Sequence, residues 1–184
     1  MARHLMTTEE YLQTPETKKP AELIYGVLRV ADTPLPRHQR AVRDLCLALV
    51  TYTEQKSLGE VWISPLDVIF DAERHLVLQP DLFFVSNERS GILQDRFRGA
   101  PDLVVEVLSP HPRIGKLDER LAWFAEYNVR ECWLVHQLER RIEVVTFQHG
   151  SVSKRLSFDE RTPIQSAVLP GFARTTGSIL RWNT

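Results

Sequence analysis

The chain is short of several residues on which familiar chemistries depend. Of its 184 residues only 2 are cysteine and 8 are glycine. Cys46 and Cys132 stand far apart, inside apolar periodic segments. They read as buried free thiols of a reducing compartment, not as a disulfide framework. No serine sits in a nucleophile-elbow pattern, and so few glycines leave no glycine-rich phosphate loop, so no nucleotide cofactor is expected. The six histidines, His4, His38, His75, His111, His136 and His149, contain no pair at the spacings typical of zinc sites. No apolar run approaches the roughly 18 residues of a membrane span, and Met1-Ala2-Arg3-His4-Leu5-Met6 lacks an apolar signal core. The expectation is a soluble cytoplasmic protein with no membrane partner. Charge of one sign is lacking as well: Lys plus Arg total 23 against 24 for Asp plus Glu. That balance excludes the global basic footprint of many nucleic-acid binders, so any polyanion contact must be local.

What the chain does have is apolar patterning. At 43% hydrophobic residues, with no repeat and no low-complexity tract, it reads as a single domain spanning 1–184. Thr7-Thr8-Glu9-Glu10-Tyr11-Leu12 predicts a short helix capped by Thr7 or Thr8 and stopped by Pro15. Glu22 to Val30 predicts a hairpin turning near Gly26. From about Arg37 to Lys56, Val42, Leu45, Leu49 and Tyr52 recur at spacings of three and four, a helix with one buried stripe that His38 continues.

Strands are expected at 60–64 and 67–70, then at Leu76 to Val85 and Leu103 to Ser109. The last two are apolar on both faces, as strands buried under helices on each side must be. A second helix is expected from about Arg113 to Asn128, followed by strands at 131–135 and 141–147, and an irregular tail with an apolar patch at Ile179-Leu180. The fold class is α/β, a mixed β-sheet core flanked by helices.

Asp81 and Glu106 each stand where a sheet interior is expected. A carboxylate there is costly unless it is paired, hydrogen-bonded or bound to a metal. Two such acids on neighbouring strands suggest a divalent-cation site. Carboxylate oxygens suit Mg²⁺ or Mn²⁺, and a magnesium site normally takes only one or two protein carboxylates and keeps several waters.

The segments Pro80-Asp81-Leu82, Ala100 to Pro110 and Tyr127 to Val135 resemble the bacterial Uma family of restriction-endonuclease-like proteins, within the PD-(D/E)XK nuclease superfamily. Ala21 to Gly26 and His38 match that family's N-terminal pattern. The resemblance implies a restriction-endonuclease-like core in which Asp81 and Glu106 hold the metal, with Glu22 and His38 flanking it. Superfamily members usually carry lysine two positions after the glutamate, where this chain has Leu108. The resembling family supplies a lysine from the next helix, and at that place stands Arg120. Lys116, one turn earlier, can share its face. Arginine can orient phosphate but cannot transfer a proton. His136 stands where the family often has aspartate.

The resemblance implies a Mg²⁺- or Mn²⁺-dependent endonuclease that hydrolyses DNA phosphodiester bonds as a homodimer, with Asp81, Glu106, Arg120, Lys116, Glu22 and His38 as its catalytic set. The alternative is a nuclease-fold domain that has lost turnover and serves as a nucleic-acid-binding or protein-interaction module. Glu106 paired with Arg120 as a structural salt bridge, and Lys116 with Arg120 as a solvated helix face, are the plainer readings of the same residues.

Overall fold

The computed structural model describes residues 5–15, 19–109 and 117–180. A short helix α1 (Thr8–Leu12) opens the chain, closed at its start by a reciprocal pair in which the Thr7 hydroxyl accepts from Glu10 N–H and the Glu10 carboxylate from Thr7 N–H. The hairpin follows as β1 (Ala21–Ile24) and β2 (Val27–Val30). Its turn needs Tyr25 and Gly26 at φ 48° and 81°. Helix α2 (Pro36–Gln55) buries Val42, Leu45 and Leu49, the stripe its spacing predicts, and Pro36 opens it.

The rest of the chain alternates between two sheets. Strands β3 (Gly59–Ile63), β4 (Val68–Asp71), β5 (Leu76–Leu78), β6 (Leu82–Ser86), β7 (Phe97–Arg98) and β8 (Leu103–Leu108) come before helix α3 (Leu117–Glu126). Strands β9 (Glu131–His136), β10 (Arg141–Gln148) and β11 (Ser151–Phe158) come after it, and a last helical turn α4 (Thr176–Ile179) closes the described chain. The larger sheet has the order β11-β10-β9-β8-β6-β3 and the smaller the order β2-β1-β5-β4-β7. Both are mixed: β8 and β9 run parallel in one, β4 and β7 in the other, and the remaining pairs are antiparallel.

The larger sheet is covered on both faces, as its apolar strands require. Leu103, Val105 and Val107 pack with Val42, Leu45 and Leu49 of α2. Val104 packs on the opposite side with Leu121 and Phe124 of α3 and with Val68 and Leu78 of the smaller sheet. Alternation along β8 therefore sends Glu106 to the α3 side.

Three expectations are corrected. Leu76 to Val85 is not one central strand: it breaks at Gln79-Pro80-Asp81, with β5 in the smaller sheet and β6 in the larger. Pro80 has no N–H to give a ladder and restricts the residue before it, so the chain leaves one sheet and joins the other. The mixed β-sheet core is thus built of two sheets. The region after 147 also holds more order than its composition suggests, because β11 is an eight-residue strand that pairs with β10 along its length, with one register shift. It lies at the sheet edge and is mostly exposed, so its sequence reads as polar. Of the second helix, the described part is Leu117–Glu126, ending two residues short of the expected Asn128, which adopts the left-handed conformation with φ 65°. Its expected first turn, with Lys116, lies outside the described residues.

Candidate active site

The break between β5 and β6 places acids of both sheets beside one another. Glu22 is the second residue of β1, and its side chain is 2% exposed. Its Oε1 accepts the backbone N–H of Gln79 at 2.8 Å. Asp81 follows two residues later, and its Oδ2 accepts the N–H of Val107 at 2.7 Å. That bond ties the segment before β6 to β8 next to Glu106. His38, in the first turn of α2, brings Nε2 to 3.3 Å from the same oxygen of Asp81. Its Nδ1 is buried and has no partner among the described residues.

Arg120 projects from α3 between the two glutamates. Its Nη1 donates to Glu22 Oε2 at 2.7 Å and Oε1 at 3.0 Å. Its Nη2 and Nε donate to Glu106 Oε1 at 2.6 and 3.2 Å. The guanidinium also lies 5.7 Å from the Phe124 ring centroid. Four hydrogen bonds use most of the five N–H groups an arginine carries. Arg120 is thus first a strut between the sheets, paired with Glu106 in the salt bridge of the plainer reading.

The electrostatics show what the strut leaves unbalanced. Three carboxylates share one guanidinium, and the imidazole of His38 is the other group that can take a positive charge. Burial above all lifts the Glu106 carboxyl to about 7; the guanidinium of Arg120 opposes this, while the charges of Asp81 and Glu22 add to it. Burial works against a charged His38, but the hydrogen bond and charge of Asp81, helped by Glu106, outweigh it and raise the imidazole. Burial likewise opposes the charge of Arg120, and the two glutamates hold it above its ordinary value. One cation for three acids does not satisfy the site.

Two other buried acids show what a purely structural carboxylate looks like. Asp102, wholly buried, takes Ser86 N–H at 2.8 Å on Oδ2 and Arg130 Nη1 at 3.2 Å on Oδ1, with Arg89 Nε at 3.4 Å. Glu131, also wholly buried, takes Trp133 Nε1 at 2.7 Å, Ser166 Oγ at 2.6 Å and Ala167 N–H at 2.8 Å. Both have donors on each oxygen. Among the described residues no hydrogen-bond donor is placed on Oδ1 of Asp81 or Oε2 of Glu106.

That contrast bears on the expected cation. Among the described residues no group of three or more His, Cys, Asp and Glu side chains is arranged to hold a metal ion. What the site offers is two carboxylates with one oxygen of each unclaimed. Such a donor set fits a hard cation that keeps most of its water, not one that needs a full protein cage.

Of the residues singled out in the sequence, Glu22, His38, Asp81, Glu106 and Arg120 come together. Lys116 lies outside the described residues. His136 pairs in register with Leu108 but joins a separate ionic group, with Nε2 3.3 Å from Glu143 and Nδ1 3.3 Å from Arg141. Sequence reasoning missed Gln79, whose side chain also donates to Asp67 at 2.8 Å and accepts from Ala21 N–H at 3.2 Å. It also missed the N–H of Val107. Backbone donors have no sequence signature, though the proline after Gln79 marked the break that exposes its N–H.

Two sheets, the helices packed against them and an acid cluster at their junction define a restriction-endonuclease-like α/β protein. The family model of Uma2, described as "Putative restriction endonuclease", matches residues 8–177, and the chain belongs to that family. A solved structure from Anabaena variabilis ATCC 29413, described as a "putative nuclease belonging to DUF820", is similar with a TM-score of 0.80 at 18% identity, covering 96% of this chain and 98% of that one. At that identity the likeness speaks for the fold. No curated protein matches the chain.

Proposed function

We propose that this protein is a Mg²⁺- or Mn²⁺-dependent endonuclease that hydrolyses DNA phosphodiester bonds. The observation that carries the reading is the meeting of Asp81 and Glu106, each with a free oxygen, in a cluster that Arg120 leaves short of positive charge. Asp81 and Glu106 would hold the metal, which when bound activates a water and neutralises charge developing on the phosphate. Arg120 orients Glu106 by occupying Oε1, so that Oε2 is the oxygen left for a ligand. Glu22 anchors Arg120 from the smaller sheet. His38 steadies Asp81 and can hold a proton there, since its imidazole is raised. In this reading Lys116 supplies the cation for the scissile phosphate, and a homodimer presents two sites to the two strands of a duplex.

A second reading has one observation in its favour. Arg120 stands where the resembling family supplies lysine, and four hydrogen bonds commit it to two glutamates. A guanidinium so held is poorly placed to act on phosphate, which suits a nuclease-fold domain that binds nucleic acid or protein without turnover.

Calorimetric Mn²⁺ titration of wild type, Asp81→Ala and Glu106→Ala, with plasmid cleavage by the same proteins and by Arg120→Lys, separates the two. The enzymatic reading expects Mn²⁺ binding that both alanine variants lose, and cleavage that falls with it. Failure of the wild type to bind Mn²⁺ near neutral pH would overturn the metal-dependent reading. Binding without cleavage, with activity gained in Arg120→Lys, supports the non-catalytic one.

A further inference from the structure

At the far end of α3 from the acid cluster, a cleft of about 140 Å³ opens between the end of the helix and the β10–β11 hairpin. Among the described residues its polar lining is Arg89, Asn128, Arg130, Gln148 and His149, with no acidic side chain. In a chain with more acids than bases, such a lining stands out. Among the described residues the carboxylate in contact with these arginines is that of Asp102, which is wholly buried.

The two guanidiniums are built in, not adventitious. Arg89 Nη1 donates to the carbonyls of Asn128 at 3.0 Å and of Ala100 and Pro101 at 3.2 Å, and its Nε lies 3.4 Å from Asp102 Oδ1. Arg130 Nη1 reaches the same Oδ1 at 3.2 Å, and its side chain is half exposed. Asp102 also secures the backbone around them, because its carbonyl accepts the N–H groups of Arg130 and Glu131. Two guanidiniums on one carboxylate leave one positive charge unanswered. Among the described residues the Nη2 groups of both arginines, and Nε of Arg130, have no hydrogen-bond acceptor. A planar fork with spare donors, fixed in place and facing a cleft without acids, matches the oxygens of a phosphate group.

We propose that the Arg89–Arg130 cleft is a phosphate-binding site. The phosphate belongs either to a nucleic-acid backbone or to a small phosphorylated molecule, and the chemistry of recognition is the same for both. The site does not depend on the hydrolytic reading of the acid cluster. Asp102 stands just before β8 and Glu106 within it, four residues on, about 13 Å at strand rise.

The test is done in EDTA, so that its failure is distinct from a failure of metal-dependent hydrolysis. Amide NMR spectra of the whole protein are followed with inorganic phosphate, with adenosine monophosphate and with a short DNA duplex, for wild type, Arg130→Gln and Arg130→Lys. Arg89 is left alone because three carbonyls rest on it. Binding should move the signals of residues 128–130 and 148–150, weaken several-fold in Arg130→Gln, and return in part in Arg130→Lys. A duplex that binds there, with a salt slope lowered by about 0.9 in Arg130→Gln, assigns the backbone as source. Tighter binding of the monophosphate than of the duplex assigns a small molecule. If none of the three probes moves these signals, or if Arg130→Gln binds as well as wild type, the proposal is wrong.

Discussion

Replacing Glu106 by glutamine should stabilise the protein at alkaline pH and leave it unchanged in acid. The Glu106 side chain is 14% exposed and shares its surroundings with Asp81 and Glu22. Burial, with those charges and against Arg120, raises its carboxyl from 4.5 to about 7. At about 1.4 kcal/mol per pH unit, that rise is about 3 kcal/mol of preference for the neutral acid in the folded chain. A carboxyl raised on folding contributes stability that is fully present below its unfolded value. That contribution is lost as pH climbs through the folded value. Glutamine mimics the neutral acid and does not titrate. The gap between variant and wild type should therefore be close to zero near pH 4, open between pH 4.5 and 7, and level off at about 3 kcal/mol by pH 8. Urea unfolding in EDTA, followed by circular dichroism at each pH, measures it. EDTA matters because a bound cation would favour the ionised carboxylate and shrink the gap. If the two proteins lose stability in parallel from pH 4 to pH 8, the ionised Glu106 is fully compensated by Arg120, and the charge deficit inferred for this site does not exist.

Three further outcomes are expected. Arg120→Met strands two buried glutamates and should cost about 3–5 kcal/mol in urea unfolding, part of it recovered when Glu22→Gln is added. Asp102→Ala should destabilise without touching the acid cluster, by about 1–3 kcal/mol for the orphaned Ser86 N–H alone, and should leave Mn²⁺ affinity unchanged. Gly59→Ala should unfold more readily still: at φ 147° a Cβ would stand 2.1 Å from the carbonyl oxygen of Val85, prising β3 from β6 beyond the roughly 1–3 kcal/mol of backbone strain, which thermal melting reads as a lowered Tm.

Much of the scaffold was legible because its signals are local. The stripe Val42, Leu45 and Leu49 predicts one buried face of a helix, and all three are buried there. Leu103 to Leu108 is apolar on alternate faces, and the strand is covered on both. Leu76 to Val85 misled for the opposite reason. Its apolar character is continuous across Gln79-Pro80-Asp81, but hydrogen bonding is not, and only the partners of each half show that β5 and β6 belong to different sheets. Strand β11 escaped notice because an exposed edge imposes little hydrophobic pattern on its residues.

Sequence alone determined that Asp81 and Glu106 are acids set in apolar runs, and that arginine stands at position 120. A carboxylate's meaning depends on the donors around it, and those come from distant segments. Asp102 lies in the same apolar run as Glu106, and Glu131 begins a strand almost as apolar, yet their oxygens are filled by Ser86, Arg130, Trp133, Ser166 and Ala167. Asp81 and Glu106 each keep one oxygen free of described donors, because Val107 and Arg120 take only the other. Tertiary structure alone decided that difference: hydrogen-bond saturation is set by which chain segments meet, and local composition carries no record of it.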